Sequence, residues 1–125
     1  MRDFAIQLTD RPGELARVAT ALSRYGVNVK AVAGLAVGSS VLVRIIADQV
    51  EPARAALQAA NIPFEEQELV TVLLENRAGE LAAVSQKLAS GHVNLRAIYL
   101  TGIVDNLVEL AVAVDDVGKA AELLE

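Results

Sequence analysis

The sequence predicts an α+β fold of two ferredoxin-like βαββαβ repeats, the second lacking its last strand. Each repeat should form an antiparallel sheet with its helices on one face. Three observations lead there. First, the chain repeats itself: shifted by 66 residues, Phe4 to Ala33 aligns on the second half without gaps. Identical pairs include Leu8/Leu74, Arg11/Arg77, Gly13/Gly79, Glu14/Glu80, Leu15/Leu81, Val18/Val84 and Asn28/Asn94. At an offset of 67 the match resumes through Val41/Val108, Asp48/Asp115 and Leu57/Leu124, and the added residue is expected in a turn. Second, apolar residues alternate, recur at helical spacing, then alternate again in each repeat. Third, glycine and proline fall between those segments.

Phe4, Ile6 and Leu8 alternate with Ala5, Gln7 and Thr9, as in a strand with one buried face. Leu15, Val18, Ala19 and Leu22 follow at helical spacing. Pro12 stands near the helix start, where a missing N–H costs nothing. Glu14 suits the positive end of the helix dipole, and Gly26 suits a left-handed stop. Val27, Val29 and Ala31 read as a second strand, Gly34 and Gly38-Ser39-Ser40 as a turn, and Val41 to Ala47 as a third strand. Val50, Ala53 and Leu57 share one side of a second helix that ends near Asn61-Ile62-Pro63, and Phe64 to Gln67 form a fourth strand. The second repeat gives strands at 70–75, 93–100 and 107–114 and helices at 79–90 and 116–124, with no fourth strand. Either its sheet has three strands or a partner supplies the edge.

The repeats divide the chain at 1–66 and 67–125. Units of about 60 residues bury little surface alone, so the two are expected to pack together. Repeat 1 carries seven basic and seven acidic residues and repeat 2 four and nine, so the net charge of −5 lies in the second. That balance argues against a nucleic-acid binder. Aromatics at 3 % argue against base stacking. The absence of cysteine excludes disulfides, thiolate metal sites and a cysteine nucleophile. No apolar run reaches the ~18–20 residues that span a bilayer, so a cytoplasmic, non-membrane protein is expected. Leu42, Ile46, Leu73, Ala111 and Ala113 should lie on the sheet faces away from the helices. Exposed apolar faces of that kind mark interfaces, and a homodimer is expected.

The most specific feature is the turn between the first strand and first helix. Repeat 1 reads Thr9-Asp10-Arg11-Pro12-Gly13-Glu14-Leu15, and repeat 2 reads Glu75-Asn76-Arg77-Ala78-Gly79-Glu80-Leu81. An asparagine opens the second strand of each, in Val27-Asn28-Val29 and Val93-Asn94-Leu95. On these motifs the chain resembles the ACT domain, a small regulatory module that binds amino acids, and the resemblance covers both repeats. Acetolactate synthase small subunits and phosphoglycerate dehydrogenase regulatory domains carry similar turns. The resemblance implies ligand-binding roles for Asp10, Arg11, Pro12, Gly13, Glu14, Leu15 and Asn28. It implies the same for Asn76, Arg77, Ala78, Gly79, Glu80, Leu81 and Asn94, with ligands held at inter-repeat or inter-chain interfaces.

The chemistry suits that role. A glycine lets a ligand approach the backbone. A helix start offers unpaired N–H groups to a carboxylate. The Asp10 carboxylate can accept from an ammonium, and an asparagine can both donate and accept. Structural readings stand beside these: Asp10 and Asn76 as helix caps, Gly13 and Gly79 as close-packing positions, Asn28 and Asn94 as strand-entry bends, and Arg11 and Arg77 as solvated charges. Asn76 in place of Asp10 leaves the second turn without that carboxylate, and Ala78 in place of Pro12 loosens it. The first turn is therefore favoured.

Catalysis is not expected. His92 is the sole histidine and has no repeated counterpart. Asp115-Asp116 reads as a cap, and no glycine-rich phosphate loop occurs. No cofactor or metal is implied. The reading is a regulatory protein that senses a free amino acid. The alternatives are a regulatory subunit docking on a separate biosynthetic enzyme, or an interaction module without ligand.

Overall fold

The computed structural model describes all 125 residues. The chain divides into two compact units, Arg2–Gln67 and Glu68–Glu125, the latter joined by Met1. The first unit contains β1 (Arg2–Thr9), α1 (Glu14–Arg24), β2 (Val29–Val37), β3 (Ser40–Ala47), α2 (Val50–Ala59) and β4 (Glu65–Glu68). Its strands lie in the order β2-β3-β1-β4. β3 runs antiparallel to both neighbours, with Phe4 opposite Ile45 and Val32 opposite the same residue on the other side. The second unit contains β5 (Val70–Glu75), α3 (Glu80–Ser90), β6 (Leu95–Val104), β7 (Leu107–Val114) and α4 (Val117–Leu123). Its sheet has three strands in the order β5-β7-β6. β5 corresponds to β1, and the place β4 takes beside β1 has no counterpart beside β5.

Two details correct the sequence reading. Gly34 does not belong to the turn; it lies inside β2 opposite Val43, and the hairpin closes through Gly38-Ser39. The residue added in the second repeat is not in a turn either. Both hairpins have two-residue loops, Gly38-Ser39 and Asp105-Asn106, each entered through a left-handed residue, Gly38 at φ 62° and Asp105 at φ 54°. The extra residue is Thr101, a β-bulge between the pairs Leu100/Leu110 and Gly102/Glu109. The Thr101 hydroxyl reaches the Glu109 carboxylate at 2.6 Å and its carbonyl at 3.3 Å.

Helices α1 and α3 stop in the same way with different residues. In α1 the N–H of Gly26 bonds Ser23 and that of Val27 bonds Leu22, with Gly26 left-handed at φ 67°. In α3, His92 bonds Ala89, Val93 bonds Leu88, and the left-handed residue is His92 at φ 58°. Gly91 is not left-handed, at φ −91°. It is small because Leu123 crosses it: a Cβ on Gly91 would stand 2.4 Å from Leu123 Cδ1.

Alternation in β1 places Phe4, Ile6 and Leu8 in a core with Val43 and Ile45, under Val18, Ala21 and Leu22 of α1 and Ala53, Ala56 and Leu57 of α2. Phe64 meets Phe4 edge to face at 5.4 Å. The second unit has a smaller core built on Val84, Leu88, Val112, Val114 and Ala120. Burying each such side chain is worth about 1.5–3 kcal/mol, alanines less. Of the apolar residues expected on the other sheet faces, Ile46, Ala111 and Ala113 are buried, while Leu42 and Leu73 are 44 % and 63 % exposed. Asp3 is wholly buried. Arg44 meets it through Nε at 2.7 Å and Nη2 at 3.3 Å, and also donates to Gln67 at 2.6 Å.

Candidate functional site

The two strand-to-helix turns share one backbone design. The N–H of Arg11 bonds the Thr9 carbonyl and that of Arg77 bonds Glu75, both at 2.9 Å. The N–H groups of Asp10 and Asn76 bond the hairpin carbonyls of Ser39 and Asn106. Each helix then starts from a left-handed glycine, Gly13 at φ 90° and Gly79 at φ 92°. L-residues with a Cβ resist that conformation by about 1–2 kcal/mol. A Cβ at either glycine would meet nothing within 4 Å. The glycines therefore serve the backbone path, not close packing of helix on sheet.

These glycines occupy the cap positions, so Asp10 and Asn76 do not cap α1 and α3, and no other side chain does. The N–H groups of Glu14, Leu15 and Ala16, and of Glu80, Leu81 and Ala82, precede the first intrahelical bonds. α4 differs: Asp116 caps it by accepting from the N–H of Lys119.

At the second turn this backbone borders an open cleft of about 290 Å³. Glu75, Asn76 and Arg77 supply its polar side. Leu74, Leu81, Ile98, Tyr99, Val108 and Leu110 supply apolar walls. Arg77 bonds Glu80 through Nε at 2.7 Å and Glu75 through Nη1 at 2.8 Å. The hydrogen bond donated to Glu80, then the charges of Glu75 and Glu80, hold the Arg77 guanidinium above its usual range, so it stays cationic. At the first turn Arg11 and Arg17 share Glu14, at 3.5 and 3.8 Å, and Thr9 stands where Glu75 does.

Among the residues singled out from sequence, Asn76, Arg77 and Leu81 line the cleft, and Ala78, Gly79 and Glu80 complete the turn beside it. Asp10, Arg11, Pro12 and Gly13 are exposed on the first turn, with Glu14 half-buried and Leu15 51 % exposed. Asn28 and Asn94 lie outside that cleft, at the entries to β2 and β6. Their backbones are tied down: Asn28 N–H donates to the Asp48 carboxylate at 3.1 Å while its carbonyl accepts from Asp48 N–H at 2.9 Å. Asn94 makes the same pair of bonds with Asp115. Sequence reasoning missed Glu75, which gives the second turn a carboxylate one position before Asn76. It also missed the β6 and β7 walls. The alternating apolar residues of β6 were the available signal, but not for which face would open.

No family model and no curated protein matches the sequence. Solved structures do resemble it. A crystal structure of a protein from Bacteroides thetaiotaomicron superposes with a TM-score of 0.87 at 21 % identity, covering 98 % of this chain and 85 % of that one. The ligand-free regulatory subunit of aspartate kinase from Thermus thermophilus gives 0.66 at 20 % identity, covering 98 % and 88 %. The aspartate kinase of Clostridium acetobutylicum gives 0.61 at 17 % identity, where this chain spans 98 % of itself and 32 % of that enzyme. With its two βαββαβ-type units and paired glycine turns, the chain has the fold of tandem ACT domains.

Proposed function

We propose that the protein is a regulatory, non-catalytic module that binds a free α-amino acid at the β5–α3 turn. The observation that carries this is the cleft's polar side, which presents both charges a zwitterion needs. Glu75 can accept from the ligand ammonium. The Arg77 guanidinium, with the uncapped N–H groups of Glu80 and Leu81, can hold the carboxylate. Asn76 offers a donor and an acceptor between them. The fold shared with an aspartate kinase regulatory subunit supports a regulatory role. The first turn, with Asp10, Arg11 and Gly13, is a second site of the same type with its carboxylate one position later.

Regulation would follow if the ligand favours one quaternary arrangement, of a homodimer or of a complex with a biosynthetic enzyme, by linkage. No helix is long and apolar enough to cross a membrane. The test is a thermal-shift panel of the twenty amino acids. A ligand at ~100 times its dissociation constant adds about 2.7 kcal/mol, a shift of several degrees. The shift should vanish in Arg77→Ala and for ligands blocked at either pole, the N-acetyl and amide forms. A flat panel at millimolar ligand would leave the interaction module as the better reading.

A further inference from the structure

We infer that the β5–α3 cleft selects a bulky apolar amino acid of the leucine, isoleucine, methionine or phenylalanine class. This rests on the amino-acid reading above and extends it to the side chain. Once the ammonium and carboxylate are placed at Glu75 and Arg77, the rest of the ligand meets the remaining lining. Apart from Asn76 that lining is Leu74, Leu81, Ile98, Tyr99, Val108 and Leu110. The two charged groups at the cleft, Glu75 and Arg77, bond each other at 2.8 Å.

A lysine or aspartate side chain would bring its charge against these walls without a partner, which is strongly unfavourable. A serine or alanine would leave them wet. The volume of about 290 Å³ lies at the small end of ligand sites, which run from roughly 300 to 1,000 Å³, and suits a single amino acid. Leu81 is 57 % and Ile98 39 % exposed. A bulky apolar side chain would cover both. The walls come from the second unit.

The test is calorimetric titration of the full chain with L-leucine, L-isoleucine, L-methionine and L-phenylalanine, against L-alanine, L-serine, L-threonine, L-lysine and L-aspartate. The apolar group should bind at least ~10-fold more tightly than alanine, as expected from the area a leucine side chain buries. Ile98→Glu on the exposed edge strand should weaken leucine by at least ~10-fold and narrow or reverse its advantage over lysine. Leu81→Gln, at an exposed helical position, should weaken leucine with no added charge, and far-UV circular dichroism checks that both variants stay folded. Tighter binding of a polar or charged amino acid, still lost in Arg77→Ala, would overturn the selectivity while leaving the amino-acid reading in place. No binding by any of the nine would overturn the selectivity, and a flat panel of all twenty would overturn the amino-acid reading with it. Unchanged leucine affinity in folded Ile98→Glu and Leu81→Gln would place the ligand elsewhere and overturn the assignment of the cleft.

Discussion

Arg44→Met should cost the first unit about 3–5 kcal/mol, the range for removing one partner of a buried ion pair. The geometry explains why the value belongs at that level. Asp3 is wholly buried, while Arg44 is 12 % exposed and reaches it with two hydrogen bonds. Methionine keeps much of the arginine stem but removes the cation from beside a carboxylate that water does not reach. The reverse change, Asp3→Leu, should cost less, about 1–3 kcal/mol, because Arg44 keeps Gln67 and some solvent. The double variant should recover most of the loss, since well-packed apolar replacements of buried ion pairs are often neutral or stabilising. The second repeat already carries this solution: Leu69 stands at the position of Asp3 and Ala111 at that of Arg44, and both are buried. The assay is urea unfolding of all four proteins. With a slope of about 1–3 kcal/mol per molar, the Arg44→Met midpoint should fall by more than about 1 M. If Arg44→Met loses under 1 kcal/mol, or if the double variant loses the sum of the singles, the reasoning about the pair is wrong.

Three further outcomes follow from features described above. His92→Gly should stabilise by about 0.5–1 kcal/mol in thermal unfolding, because it relieves a left-handed residue and gives back part of that in unfolded-chain entropy. Gly13→Ala and Gly79→Ala should each cost about 1–2 kcal/mol and by similar amounts, since both glycines share one φ and neither Cβ would clash; a loss well above that in either would mean the side-chain space is not open. Glu66 is hydrogen-bonded by Arg54 and Arg2, and the Arg54 bond in particular holds its pKa below the usual carboxylate range. Its folded pKa is thus below the unfolded value of about 4.3. The stability it contributes is complete above that value and is lost as pH falls through the folded one. Glu66→Gln should therefore lower the urea midpoint at pH 7 and flatten its fall between pH 5 and pH 3; an unchanged acid limb would show that the pair is not coupled to folding.

Much of the fold was legible because burial on one face imposes a short period that the chain writes openly. Phe4, Ile6 and Leu8 mark β1, and the runs at 70–75 and 107–114 match β5 and β7 residue for residue. Repetition then made the βαββα order readable twice. The bulge was not legible, since one added residue shifts the alignment equally in a loop or a strand, and only the register at Gly102/Glu109 tells them apart. Asp3 reads locally as part of a polar terminus; its partner is 41 positions away. Asp10 and Asn76 have the right chemistry for caps, but the left-handed glycines three residues later take those positions. Glu75 was hidden by the very alignment that revealed the turn, because it faces Thr9 there. The walls formed by Ile98, Tyr99, Val108 and Leu110 come from β6 and β7, brought to the turn by sheet pairing that no local pattern encodes.

The two helix stops also constrain how this duplicated chain can change. Tyr25-Gly26 and Gly91-His92 occupy matching positions, yet copying one half into the other meets different surroundings. His92→Gly is open at once. Gly91→Tyr requires the partly exposed Leu123 side chain to give way, since its Cδ1 lies 2.4 Å from where the new Cβ would go. The cost of that substitution thus depends on how freely a residue 32 positions away can move. Such dependence makes the same exchange unequal in the two directions, and it leaves each half of a duplication to specialise along its own path.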